Sequence, residues 1–156
     1  MVEPAEFKDQ LNIRRMSHED VPAVFDLERV SFQHSSWTID AFYHELEQNN
    51  FAHYFVMTYD EVIIGYIGLW IVVDQAQITT IAVSPEYRGY GLGQLLLNYA
   101  KNFASTIATV MSLEVREHNY VAQHVYEKLG FQFGGKRKNY YGDGEDAWVM
   151  WVNLND

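Results

Sequence analysis

VSPEYRGYGLGQLLLNYA, residues 83–100, decides how the rest of the chain is read. Val83 closes an apolar run, "QITTIAV", that has the β-branched character of a strand, and Ser84-Pro85 stops it. Three glycines, Gly89, Gly91 and Gly93, then fall within five positions, and a helix begins at Gly93. Leu96, Leu97, Ala100, Phe103 and Ala104 recur at helical spacing, so that helix is expected to run to about Ala108. The first N–H groups of a helix have no internal partner and carry a partial positive charge. Glycines clear side chains from such a terminus and let an anion approach it, and Arg88 adds a full charge. Read from the residues alone, the turn is either a tight strand-to-helix connection or an anion cradle. It is not a Walker A loop, because no Gly-Lys-Ser/Thr follows, nor a dinucleotide fingerprint, because Gly89-x-Gly91-x-Gly93 lacks the G-x-G-x-x-G spacing.

Outward from this turn the chain reads as alternating elements. "LNIRRM" is an expected first strand, and "SHEDVPAVFDLERVSF" a helix with Ser17 and Asp20 in a capping-box pattern. "TIDAFYHELEQNN" is a second helix, capped by Thr38. "FAHYFVMTY" and "VIIGYIGLWIVV" are strands joined at Asp60-Glu61, and "TVMSLEV" is a strand. "NYVAQHVYEKLG" is a helix stopped by Gly130, and "FQFGGKRKNYY" and "EDAWVMWVNL" close the chain as strands around "GDGE". The order β-α-α-β-β-β-α-β-α-β-β predicts a mixed, mostly antiparallel sheet with about four helices on its faces, an α/β (α+β) fold. With 156 residues and no linker, repeat or low-complexity tract, residues 1–156 are expected to form one domain.

Composition narrows the chemistry. The absence of cysteine excludes disulfides, thiolate metal sites and a cysteine nucleophile. Eleven basic against 21 acidic residues, a formal net charge of −10, argue against nucleic acid as a partner and favour a basic or amine-bearing one. The acidic, polar start "MVEPAEFKDQ" is unlike a signal peptide, and no apolar stretch spans a membrane, so a cytoplasmic setting is expected. The six histidines form no metal-ligand spacing: "HELEQ" lacks the second histidine of H-E-x-x-H, and no metal is expected.

The segment Arg88-Gly89-Tyr90-Gly91-Leu92-Gly93 with its lead-in "ITTIAVSPEYRG" resembles the coenzyme motif of the GNAT (Gcn5-related N-acetyltransferase) family. The element order is also similar, so the resemblance covers nearly the whole chain. It implies the GNAT acyl-CoA N-acyltransferase fold, with acetyl-CoA as cosubstrate. The pyrophosphate would lie on the amides of residues 88 to 94, Arg88, Gly89, Tyr90, Gly91, Leu92, Gly93 and Gln94. The pantetheine arm would pair with Ile81, Ala82 and Val83, which suits two amides in need of a sheet edge.

"SLEVREHNYVAQHVYEKLGF" carries the other half of the reading. Acetyl transfer to an amine needs a neutral amine and a proton for the departing thiolate, and an α-amine near pKa 8 needs only a modest base. Glu114 stands near a strand end, and Asn119 and Tyr126 are seven apart on one helix face, so the three can converge. From the residues alone Glu114 is either a base or a solvated carboxylate, Tyr126 an acid or a packing aromatic, and Asn119 a helix cap. This stretch is similar to the branch of GNAT enzymes that acetylates the N-terminal alanine of a bacterial ribosomal protein. That resemblance implies Glu114 as general base, Tyr126 as general acid and Asn119 on the coenzyme. It further implies that Phe32, Trp37, Tyr140 and Tyr141 flank an entering peptide N-terminus. One departure stands out: many relatives carry a glutamate just before the "IAV" strand, where this chain has Gln75 and Gln77. Either Glu114 works alone or Asp74 substitutes for it. Two other readings stay open, a GNAT enzyme acting on a lysine side chain or small amine, and a non-catalytic acetyl-CoA-binding domain.

Overall fold

A computed structural model of the chain describes residues 10–31 and 37–155. Its elements follow the expected order: β1 (Leu11–Arg15), α1 (Val21–Ser31), α2 (Ile39–Glu47), β2 (Ala52–Tyr59), β3 (Val62–Val72), β4 (Gln75–Val83), α3 (Leu92–Ser105), β5 (Val110–Arg116), α4 (Tyr120–Lys128), β6 (Gln132–Arg137) and β7 (Ala147–Asn153). Seven strands form one sheet in the order β1-β2-β3-β4-β5-β7-β6. Every neighbouring pair is antiparallel except β4 with β5.

Local signals set the element ends. The Ser17 amide donates to Asp20 Oδ2 at 2.8 Å, and Arg14 grips the same carboxylate through two bonds of 2.6 and 2.9 Å. Thr38 accepts from the Ala41 amide at 3.1 Å, the expected cap of α2. Asp60 and Glu61 both take left-handed φ, 49° and 70°, the twist a tight β2–β3 hairpin requires. The strand expected through Tyr141 ends at Arg137, so Tyr140 and Tyr141 lie in the β6–β7 loop.

The sheet buries both faces. One core joins Leu96, Leu97, Ala100 and Ala104 of α3 to Phe55, Met57, Ile67 and Leu69, with Ala122 and Tyr126 of α4 packed against it. The other seats Val21, Val24 and Leu27 of α1 and Phe42 of α2 on Tyr54, Val56 and Tyr66. Each such side chain contributes about 1.5–3 kcal/mol by leaving water. Gly68 is needed here: a Cβ on it would lie 2.2 Å from the Tyr54 ring, which crosses β3 at that point.

The sheet's one parallel ladder is short. Gln75, Ala76 and Gln77 pair with Val110, Met111 and Ser112, and nothing beyond them pairs. Across β3 the register slips, with Leu69 facing Ile78 and Gly68 facing Thr80, so Thr79 is an extra residue in β4. A bulge bends its strand and raises the local twist. It falls where β4 leaves β5, and the two strands open into a V.

Candidate active site between the diverging strands

A cleft of about 1040 Å³ fills the V. Ile78–Val83 wall one side, Leu113–Arg116 the other, and Asn119, Ala122 and Tyr126 of α4 line it too. Trp37, Ser31, Tyr140, Tyr141, Gly142, Asp143 and Arg88 line it as well. The structure thus brings Glu114, Asn119, Tyr126, Trp37, Tyr140, Tyr141, Arg88, Ile81, Ala82 and Val83 to one cleft. Phe32 lies outside the described residues.

Strand alternation aims Glu114. Met111, Leu113 and Val115 face the core, which turns Ser112, Glu114 and Arg116 to the opposite face. The Glu114 carboxylate accepts from the Gln77 amide at 3.1 and 3.0 Å and from Arg137 Nη1 at 3.0 Å. Tyr126 approaches from α4, whose first turn is capped by Asn119 Oδ1 accepting from the Ala122 amide at 3.2 Å. Its ring rests on Phe131, and burial raises its phenol above the usual tyrosine range, so it is a neutral O–H donor at ordinary pH. Gln123 ties α4 to the end of β5 through the carbonyls of Arg116 and Glu117, at 3.0 and 2.9 Å.

The tyrosine rim is braced by cations. Arg137 lies over the Tyr140 ring at 4.7 Å and Arg116 over Tyr141 at 4.0 Å, and the two rings meet edge to face. Arg116 also holds Asp143 and Glu145, each at 2.9 Å, which fastens the β6–β7 loop to β5. Burial, before any charge, raises the Tyr141 phenol. Trp37 stacks on Phe42 at 4.9 Å, so its indole is a packed wall as well as a cleft surface.

The glycine turn caps this arrangement. Gly89 and Gly91 have φ of 89° and 76°, a conformation side chains rarely adopt, and Gly91 is the residue at which α3 starts. A Cβ on Gly89, Gly91 or Gly93 would meet nothing within 4 Å, so no neighbouring group crowds the three glycines. Residues 89–94 follow the cleft wall rather than line it; only Arg88 of the motif does, with its Nε 3.4 Å from the Val83 carbonyl. The Leu92 side chain is core, so that residue offers its main chain alone.

The alternative bases separate cleanly. Asp74 sits in the β3–β4 turn, its carboxylate 3.5 Å from the Thr109 hydroxyl, and Gln75 is exposed at the start of β4; neither lines the cleft. The sequence reading missed Gln77 as a partner of Glu114, and it missed Arg137 and Arg116. Their signals were present: Arg116 is two residues beyond Glu114 on one strand face, and Arg137 three before Tyr140. It also missed Glu28, buried at the cleft wall, which accepts from the Tyr66 hydroxyl and from Thr80 Oγ1 at 3.1 Å. Among the described residues no cluster of acidic or histidine side chains is arranged to hold a metal.

Diverging strands β4 and β5, joined through a glycine turn and helix, agree with what comparison finds. Residues 21–131 match the acetyltransferase (GNAT) family profile. The chain belongs to the GNAT family. It is 50% identical over 151 residues, 96% of this chain and 99% of the relative, to a Bacillus subtilis protein named "putative ribosomal protein bS18-alanine N-acetyltransferase". It is 30% identical to an N-alpha-acetyltransferase of Saccharolobus solfataricus, over 88% of this chain and 90% of that one. Among solved structures, the ribosomal-protein-S18-alanine N-acetyltransferase of Escherichia coli superposes with a TM-score of 0.84 at 30% identity, covering 92% of this GNAT chain and 94% of the other.

Proposed function

We propose that the chain transfers the acetyl group of acetyl-CoA to the N-terminal α-amine of a protein, with the N-terminal alanine of a small-subunit ribosomal protein as its target. The observation that carries this reading is a single cleft lined by a strand carboxylate, Glu114, and a neutral phenol, Tyr126. Relatives named for the same reaction on ribosomal protein S18 support the choice of acceptor.

In this reading the residues divide the work. The β4 main chain from Ile78 to Val83 has no β5 partner, and there the pantetheine arm of acetyl-CoA would add as a strand along Ile81–Val83. The amides after Arg88 would take the pyrophosphate, and Asn119 would face the coenzyme while capping α4. The acceptor nitrogen attacks the thioester carbonyl, a C–N bond forms and the C–S bond breaks. Glu114 takes the proton that the amine gives up, and Tyr126 donates one to the departing sulfur. Trp37 and the Tyr140–Tyr141 pair would flank the extended peptide. No enzyme-bound acyl group is needed, in keeping with a chain that has no cysteine.

Thiol release from acetyl-CoA in the presence of an Ala-starting peptide tests the assignment. Wild type is expected to turn over, and Tyr126→Phe to lose most of kcat while still binding acetyl-CoA. Equal turnover by the two would overturn Tyr126 as the acid.

A further inference from the structure

We propose that Gln77 is a positioning residue for Glu114: its side-chain amide holds the carboxylate from beneath, and with Arg137 on Oε1 this leaves Oε2 to take the substrate's proton. This rests on the reading of Glu114 as the base. Gln77 occupies the last rung of the parallel ladder, opposite Ser112, and pairs on its other side with Trp70. Its backbone is thus held from both sides at the vertex of the V. It does not line the cleft, so it acts through Glu114 rather than on the substrate.

The hydrogen-bond count gives the direction. Each carboxylate oxygen has two lone-pair sites. The Gln77 nitrogen straddles both oxygens, at 3.1 and 3.0 Å, and Oε1 accepts from Arg137 as well, at 3.0 Å. Oε2 shares the Gln77 contact and has no second donor among the described residues, so it is the less occupied oxygen. Without the Gln77 amide only the exposed Arg137 side chain would restrain the carboxylate, and that guanidinium also rests on Tyr140. A glutamine here is therefore chemically matched to a glutamate on β5. A second carboxylate at position 77 would face Glu114 at hydrogen-bond distance, and two such groups do not both ionise readily.

Two variants test this beside Glu114→Gln. Gln77→Ala is expected to lower kcat by roughly ten- to a hundredfold, the cost of a misaimed catalytic group, with KM for acetyl-CoA and Tm unchanged. The near-isosteric Gln77→Glu is expected to move the acidic limb of the kcat/KM profile to higher pH, because the facing carboxylates share a proton and titrate as a pair. The other groups around Glu114 are Arg137 from the end of β6, Tyr140 and Tyr141 from the loop after it, Arg116 on β5 and Tyr126 on α4. Arg137 limits the size of that shift but does not reverse it, and the phenols are neutral there. Wild-type kcat in Gln77→Ala, or an acidic limb in Gln77→Glu that coincides with wild type, overturns the proposal. Should Gln77→Ala fail to fold, the Gln77→Glu profile decides. Full activity in Glu114→Gln would instead remove the base reading itself, a distinct outcome.

Discussion

Glu114 and Tyr126 share the cleft but differ in how their surroundings treat them. Glu114 is held by an amide and a guanidinium, whereas Tyr126 sits against Phe131 with burial keeping its phenol protonated. Glu114→Gln is expected to reduce kcat by about 10²–10⁴-fold, the usual contribution of a positioned base, with acetyl-CoA binding retained by calorimetry. The Tyr126 sign follows from burial. A phenol whose pKa is raised in the fold is fully protonated below the ordinary tyrosine value near 10, and deprotonates only above it. No basic limb below about pH 10 should therefore be traceable to Tyr126; a limb there that vanishes in Tyr126→Phe would contradict the assignment.

Among the elements, the turn into α3 and the start of α1 make separable predictions. Gly93 is helical and a Cβ on it meets nothing, so Gly93→Ala should stabilise α3 by about 0.5–1 kcal/mol. The same methyl would stand where the pyrophosphate approaches, so acetyl-CoA affinity should fall as Tm rises. Unchanged affinity would mean that the turn is only a connection. At α1, the Arg14 guanidinium and the Ser17 amide hold the Asp20 carboxyl below the usual carboxylate range. A depressed pKa means stability that is present above the unfolded-state value and lost as pH falls through the folded one. Asp20→Asn should cost about 1–3 kcal/mol at neutral pH, and little once the wild-type carboxyl is protonated, as urea melts across pH would show. Both devices were legible in the sequence, because a capping box and a glycine-rich turn are local patterns. The V between β4 and β5 was not: it depends on a bulge at Thr79 and a ladder of three pairs, a register set by side chains far apart in sequence. Gln77 likewise read only as a missing glutamate, since its partner lies 37 residues away.

Across the whole molecule, a sheet covered on both faces opens at the split, and the site is assembled from β4, β5, α4 and the β6–β7 loop. Sequence order foretold the mixed sheet with helices on its faces, though not the split, because each strand and helix carries its own periodicity. The residues that brace the tyrosines, Arg116 and Arg137, became visible only when the loop closed on β5. With a formal net charge of −10, the molecule should attract basic acceptor segments at long range. For an Ala-starting peptide with a lysine- and arginine-rich tail, kcat/KM is expected to fall several-fold between low salt and about 0.15 M, where the screening length is about 8 Å. A neutral-tailed peptide should show little change, and equal salt dependence of the two would rule out steering. The measurement that bears most directly on the account is mass-spectrometric mapping of the acetyl group on a peptide offering both an N-terminal alanine and an internal lysine. Acetylation at the alanine α-nitrogen, abolished by Glu114→Gln, is the predicted result; acetyl found on the lysine side chain with the α-amine untouched would contradict it.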